Sequence, residues 1–171
     1  MKPRNLLIAA VVGIVAAISA VALAATNPAN APQGTHFKSG TASCSAASNG
    51  TVTCTGYTLA GVGNTNAQAD LSATYTGTVV CRNGGGQLSD SQHQGTFTVP
   101  TSSGTLQSKN GNLTVPSLST SAPTEQQFVA QQTCPNPNWT PTIPGGITLS
   151  SFTYTVSFAG FAGPYITITG P

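Results

Sequence analysis

Charged side chains are scarce in this sequence. Among its 171 residues are five Lys and Arg and three Asp and Glu, so that charged residues make up 5 % of the chain. Binding to nucleic acid depends on clustered basic side chains that displace counterions from phosphates, and an acidic lipid surface attracts the same clusters. We therefore expect no nucleic-acid partner and no acidic-lipid partner.

The residue types that catalyse reactions or bind metals are also few. The only acidic residues are Asp70, Asp90 and Glu125, and none lies in a glycosidase-like motif. The sequence contains neither the Gly-x-Ser-x-Gly motif of serine hydrolases nor a Cys-x-x-Cys pair. We therefore predict that the protein is not an enzyme and that it holds no metal and no cofactor.

One local cluster stands against that prediction. Asp90 and His93 are three positions apart, which suits a shared metal or two members of a catalytic triad. A metal would need a third ligand, and the sequence offers few candidates for it: His36, Asp70 and Glu125. The cluster follows a Gly-rich stretch and lies among polar residues, so we interpret it as a solvated loop.

A long apolar run lies near the amino end. Lys2 and Arg4 precede an uncharged stretch over 6–22, and Ala22-Leu23-Ala24 supplies the small residues that signal peptidase accepts. A transmembrane anchor is the alternative, because the run approaches the roughly 20 residues that span a bilayer. The Ala and Gly content and the cleavage motif favour a secretory signal over 1–24.

The remaining sequence predicts one exported domain. A polar stretch with Pro and Gly suggests a flexible leader over 25–40, followed by a single folded domain over 41–171. We expect this mature protein to be secreted or associated with the cell envelope, with no membrane segment after signal removal.

Four cysteines in an exported chain predict two disulfides, and the residues involved are Cys44, Cys54, Cys81 and Cys134. Three connectivities are open. We favour Cys44 with Cys54, because Asn49-Gly50 between them is a strong hairpin-turn signal, and Cys81 then pairs with Cys134 by elimination. A two-residue turn would place Cys44 opposite Thr55, so this pairing requires a bulge or a longer loop.

Alternation of apolar and polar residues predicts the strands. Apolar side chains occupy every second position from Phe152 to Phe158 and from Leu71 to Cys81, which is the strand period. A further strand follows at 165–169. Another is predicted at 96–99, stopped by Pro100, and a hairpin at Asn110-Gly111 is expected to pair Leu106 with Val115.

One segment, 124–132, has a helical signature instead. Thr124 and Gln127 have the capping-box spacing, and Glu125 lies in the first turn, where the helix dipole favours a negative charge. We predict a short helix there with Phe128 facing the sheet. With many short strands and one helix, the fold class is all-β: a two-sheet antiparallel β-sandwich, Ig-like or a related Greek key, with a jelly roll as the rival.

Two kinds of surface are candidate binding sites. Exposed aromatic rings stack on sugars, and the candidates are Trp139, Tyr57 and Tyr165, although Trp139 also suits a role in closing one end of the sandwich beside Cys134. Thr-x-Thr runs suggest instead an ordered hydroxyl array that binds a crystalline surface such as ice or a polysaccharide. Outward-facing Thr is also a common strand residue without any further role.

The segment Cys134-Pro135-Asn136-Pro137-Asn138-Trp139-Thr140, together with the strands at 147–158 and 165–169, resembles small secreted proteins of actinobacteria. The resemblance extends to Cys54–Tyr57 and Gly61–Asn64. It implies an exported bacterial protein and supplies no catalytic residue.

These observations predict an exported, non-catalytic β-sandwich that acts as a structural, adhesion or interaction module at or outside the cell envelope. The alternative is a carbohydrate-binding module that uses exposed aromatics, and a secreted hydrolase is less favoured. The expected partner is a polysaccharide or a cell-envelope protein.

Overall fold

The computed structural model describes residues 21–171, apart from the side chains of Ser89, Asp90 and Ser91. The strands are β1 (Val21–Leu23), β2 (Ala25–Thr26), β3 (His36–Ser39), β4 (Ser43–Ala46), β5 (Val52–Cys54), β6 (Tyr57–Ala60), β7 (Ala67–Arg82), β8 (Leu88–Leu106), β9 (Asn112–Val115), β10 (Leu118–Thr120), β11 (Thr140–Thr142), β12 (Thr148–Phe158) and β13 (Pro164–Gly170). A 3₁₀ helix covers Pro28–Asn30, and the α-helix α1 covers Glu125–Val129. The predicted all-β class with one short helix is confirmed.

The long strands form one large antiparallel sheet. Its order is β11-β7-β12-β13-β2, and β8 pairs with β7 on the other side. The predicted alternation holds in β7 and β12, where Leu71, Ala73, Tyr75, Phe152 and Tyr154 are buried and the residues that alternate with them face outward. This sheet is the first layer of the fold.

The second layer consists of two small sheets that share three chain segments. One has the order β3-β6-β9, and the other has the order β1-β4-β5-β10, in which β4, β5 and β10 belong to the same segments as β3, β6 and β9. Gly40, Gly56 and Pro116 lie in the short connections. A Cβ on Gly56 would lie 3.1 Å from the Ser117 nitrogen, so a larger residue here would require the neighbouring backbone to shift.

The core lies between the two layers. Buried side chains from both layers belong to one continuous cluster, and a hydrogen bond of 3.1 Å joins the hydroxyls of Tyr57 on β6 and Tyr154 on β12. Tyr75 on β7 donates to the Gly50 carbonyl of the opposite layer at 2.9 Å. The predicted two-layer sandwich is therefore confirmed.

Both disulfides form as predicted, Cys44 with Cys54 and Cys81 with Cys134. Cys44 lies directly opposite Cys54 because the loop between β4 and β5 is longer than a two-residue turn. Ala47 donates to the Thr51 carbonyl, so three residues, Ser48 to Gly50, make the reversal, and Gly50 has a positive φ of 81°.

The helix α1 begins as its capping box predicts. Gln127 N donates to Thr124 Oγ1 at 3.2 Å, and Thr124 N donates to Gln127 Oε1 at 2.9 Å. Phe128 is fully buried against the large sheet. Among the residues that the structure describes, no helix combines the length and the apolar character that crossing a bilayer requires.

The prediction that Pro100 stops a strand is wrong. Strand β8 runs through it, and Pro100 lies opposite Ser72 of β7. β8 forms the edge of the sheet, and a proline is tolerated on an edge strand where its missing N–H faces away from the neighbouring strand.

The predicted pairing of Leu106 with Val115 is also wrong. Asn110 and Gly111 have φ values of 52° and 72°, which suit a type I′ turn, but only the bridge from Lys109 to Asn112 closes it. Strand β9 then leaves β8 and pairs with β6, because its buried residues belong to the second layer.

The structure differs from the expected flexible leader over 25–40. In this range β2 pairs with β13, β3 pairs with β6, and Ala31 is buried in the core. Residues 1–20 of the predicted signal lie outside the described residues, whereas its last residues include β1, which pairs with β4.

Candidate functional site

The outer face of the large sheet carries a dense array of hydroxyl groups. On β7, β8, β12 and β13 many of the residues that alternate with the core residues are Ser or Thr, and Gln68, Asp70, Gln94 and Pro100 lie among them. We call this surface the hydroxyl face, and it consists of Ser72, Thr74, Thr76, Thr78, Thr96, Thr98, Ser102, Thr148, Ser151, Thr153, Thr155, Thr167 and Thr169.

The strand register arranges these residues in rows across the sheet. One row joins Thr98, Thr74 and Ser151, the next joins Thr96, Thr76 and Thr148, and others follow through Ser72 and Thr155. Neighbouring strands separate the side chains in a row by about 4.5–5.5 Å, and residues two apart along a strand are about 6.7 Å apart. The hydroxyl face is therefore a two-dimensional array of donors and acceptors, interrupted in β12 by a bulge between Leu149 and Ser151.

Side-chain hydrogen bonds connect neighbouring strands within two of these rows. Thr74 Oγ1 lies 3.2 Å from Thr98 Oγ1, and Thr76 Oγ1 lies 3.5 Å from Thr148 Oγ1. A hydroxyl both donates and accepts, so each linked pair retains unused hydrogen-bonding capacity. These threonines are also β-branched with restricted χ1 angles, so little side-chain freedom remains to be lost when a ligand binds.

At one end of the hydroxyl face β8 contains a bulge that lies next to a pocket. Gln68 of β7 pairs with Thr105 and Asp70 pairs with Ser102, so that Ser103 and Gly104 together oppose the single residue Ala69. Ser103 Oγ accepts a hydrogen bond from the Ala69 N–H at 2.9 Å, and Gly104 has a φ of 66°. The bulge displaces the edge strand locally, which is a common role of bulges near binding sites.

This end pocket has a volume of about 330 Å³, and its lining residues are Asn66, Ala67, Gln68, Asp70, Thr105, Ser157, Phe158 and Ala159. Gln68 Nε2 donates to both carboxylate oxygens of Asp70, at 2.8 and 3.0 Å. The carboxylate is thus held in place by its neighbour on the same face of the strand.

Two of the three aromatics predicted to bind a ligand are in the core. Tyr57 and Tyr165 are each 5 % exposed, and Tyr57 packs against Phe37 at a ring distance of 5.3 Å. Burial, and then the neighbouring Tyr154, raises the pKa of Tyr57, and burial raises the pKa of Tyr165. Neither ring offers an exposed face on which a sugar could stack.

Trp139, the third aromatic, is half-buried in the turn that precedes β11. Its backbone N–H donates to the Asn136 carbonyl at 3.0 Å, and the following strand, β11, pairs with the far end of β7. The three predicted aromatics are therefore not brought together on one surface.

The Asp90 and His93 positions lie in strand β8 and not in a loop. His93 pairs with Val79 and is exposed, whereas the Asp90 side chain is not among those described. Within the described part of the chain, no three His, Cys, Asp or Glu side chains come close enough to hold a metal ion.

The sequence points to Asp70 only as a potential metal ligand or hydrolytic carboxylate and does not single out Gln68. The alternation of Gln68, Asp70 and Ser72 along β7 was a usable signal for a shared outward face. The bulge opposite these residues could not be predicted from the sequence, because it depends on the register between β7 and β8.

Comparison with models of protein families, with characterised proteins and with solved structures finds no match to this chain.

Proposed function

We propose that the protein is an exported, non-catalytic interaction module that acts at or outside the cell envelope by binding a hydroxyl-rich polymer, such as a polysaccharide, through the hydroxyl face. The observation that carries this proposal is the side-by-side alignment of Ser and Thr on four adjacent strands. Such a lattice matches a ligand that repeats its own hydroxyl groups, because many weak hydrogen bonds then form together.

The charge distribution supports a neutral ligand. The rows from Thr76 to Asp70 contain one charged side chain, Asp70, so the hydroxyl face neither attracts nor repels a polymer strongly over a long range. A hydroxyl is also less strongly hydrated than a charged group, so exchanging its water for a sugar hydroxyl costs less free energy.

Two disulfides support the proposed location. Disulfides persist in oxidising compartments, such as the space outside the plasma membrane, and reducing compartments break most of them. The protein would therefore keep its fold where extracellular polymers are found.

The experiment is retention of the mature protein on insoluble polysaccharides and on bacterial cell wall. The test variant is Thr74→Val, Thr76→Val and Thr98→Val, which removes hydroxyls from the hydroxyl face while keeping the β-branched shape of each residue. We expect retention of the wild type on at least one polymer and loss of most of that retention in the variant.

A matched control lies on the outside of the second layer. Thr53, Thr58 and Thr114 are outward-facing strand threonines there, and their replacement by Val should leave retention unchanged. Equal loss in both triple variants, or no retention on any matrix, contradicts the proposed function.

The aromatic alternative has its own arm in the same experiment. Since Tyr57 and Tyr165 are buried, it depends on Trp139 alone. Retention that Trp139→Ala abolishes and the threonine variant leaves intact would assign binding to aromatic stacking instead.

A further inference from the structure

The end pocket lies beside the hydroxyl face and combines three features. It is concave, it is bordered by a bulge, and it contains a carboxylate that its neighbour holds in a fixed orientation. Ligand pockets begin at about 300 Å³, so its volume of about 330 Å³ suits one sugar-sized group.

The carboxylate of Asp70 is oriented and available to bind a cationic group. Among the described side chains its hydrogen-bond donor is Gln68 Nε2, a neutral amide that orients both carboxylate oxygens without neutralising their charge. A carboxylate accepts about four hydrogen bonds, so capacity remains for a ligand. An ammonium group is the strongest match, because a charge-assisted hydrogen bond is roughly twice as strong as a neutral one.

The rest of the pocket suits hydroxyl groups. Thr105 and Ser157 contribute hydroxyls, and Asn66 contributes an amide. The Asn66 Oδ1 atom accepts from Ser108 N at 3.4 Å, which orients the amide. Ala67 and Phe158 also border the pocket, and at 4 % and 2 % exposure their side chains belong to the core.

From this arrangement we infer that the end pocket binds a hydroxylated ligand bearing a free primary amine, with a de-N-acetylated amino-sugar unit as the chemical class. The ammonium would lie on Asp70, and the hydroxyls of the ring would bond to Thr105 and Ser157. This inference rests on the proposed function, since the pocket is continuous with the hydroxyl face. It would bind one sugar unit of a polymer that lies along that face.

The test is calorimetric titration of the mature protein with two soluble oligosaccharides of equal length, one of glucosamine and one of N-acetylglucosamine. We expect the glucosamine oligomer to bind at least about tenfold more tightly, because acetylation removes the charge that faces Asp70. In Asp70→Asn that preference should disappear.

The matched control is Glu125→Gln, which removes one negative charge from the exposed start of α1. It should keep the full preference for the glucosamine oligomer. Equal loss in Glu125→Gln and Asp70→Asn would show that net charge alone attracts the oligomer, and this result overturns the pocket.

The remaining outcomes separate this inference from the proposed function. Equal affinity for both oligosaccharides, with retention on insoluble polymers intact, overturns the amine site alone. If n-butylamine competes for the end pocket as effectively as the glucosamine oligomer does, the proposed hydroxyl contacts with Thr105 and Ser157 are wrong. Glucosamine-specific binding that depends on Asp70, without retention on any polymer, supports the pocket and contradicts the hydroxyl face.

Discussion

Two glycines at paired positions make room for the helix on the large sheet. Gly77 of β7 lies opposite Gly95 of β8, and both face the side on which α1 packs. A Cβ on Gly95 would lie 2.9 Å from Phe128 Cε1 and 2.8 Å from Val79 Cγ2. The ring of Phe128 therefore fills the space that two missing side chains leave, and it stacks on Phe97 at a ring distance of 6.1 Å.

This fit predicts the effect of two substitutions. Gly95→Ala should lower the free energy of unfolding by about 1–3 kcal/mol through overpacking, and Phe128→Ala by about 3–5 kcal/mol through the cavity that it leaves. Urea denaturation monitored by circular dichroism measures both. Gly145→Ala is the control, because nothing lies within 4 Å of its added Cβ and its change should be small. A Gly95→Ala protein as stable as the control would contradict this packing.

Among the elements, the segment 21–26 connects the two layers at their edge. β1 pairs with β4 in the second layer, and two residues later β2 pairs with β13 in the large sheet. Val21 and Leu23 are 62 % and 76 % exposed, so β1 contributes backbone hydrogen bonds more than buried area.

A protein that begins at Ala25 is therefore expected to be only slightly less stable than one that begins at Val21. The gain from a few hydrogen bonds is largely offset by the ordering of the strand, which leaves a difference of about 1 kcal/mol. A protein that begins at Thr41 loses β2 and β3 and should be far less stable. Urea midpoints of the three versions give the comparison, and a large loss on starting at Ala25 would indicate that β1 belongs to the mature fold.

The two disulfides close chain segments of different length, with sequence separations of 10 and 53 between their cysteines. The loop-entropy relation gives stabilisation of about 3 kcal/mol for Cys44 with Cys54 and about 4 kcal/mol for Cys81 with Cys134. We expect the paired replacement of Cys81 and Cys134 by Ala to lower stability more. If the shorter loop proves the more costly to open, strain or cavity effects outweigh chain entropy.

At the scale of the whole molecule, buried tyrosines make stability depend on alkaline pH. Burial raises the pKa of four tyrosines above its ordinary value: Tyr57, Tyr75, Tyr154 and Tyr165. Above pH about 10 the unfolded chain loses these protons while the folded chain retains them. Their contribution is complete below pH about 10 and is lost as pH rises above it.

Unfolding free energies measured from about pH 8 to about pH 11 should therefore be level at first and then fall, by up to about 1.4 kcal/mol per pH unit for each tyrosine. The double variant Tyr57→Phe and Tyr154→Phe removes both members of the buried hydroxyl pair, so neither is left without its partner. Its stability should decline less steeply. A decline as steep as that of the wild type would mean that other groups carry the alkaline effect.

The alternation along the chain was sufficient to predict the hydroxyl face in outline. In β7 and β12 the sequence places Thr or Ser between core residues, so one face of each strand is rich in hydroxyls whatever the strand order. The lattice itself needed the pairing of Thr74 with both Thr98 and Ser151, which are far apart in sequence. The end pocket was beyond prediction, because a bulge is a property of two strands in register and not of one.

The sequence by itself determined the all-β class, the inward side of the long strands, the capped helix and the two disulfides. The strands follow from alternation of apolar and polar residues with a period of two, the helix from the capping box of two residues three positions apart, and the disulfides from an even number of cysteines. All of these are local properties or simple counts. The Ig-like or Greek-key assignment and the export signal stay predictions.

Only the tertiary structure decided which strands are neighbours, and with that which predicted binding aromatics are exposed. Tyr57 and Tyr165 have apolar rings and polar ends, so their sequence context suits either a surface or a core. Tertiary contacts decided the matter: the hydroxyls of Tyr57 and Tyr154 are hydrogen-bonded to each other, and Phe158 packs against Tyr165. Burial depends on long-range pairing, and long-range pairing is the information that local patterns do not contain.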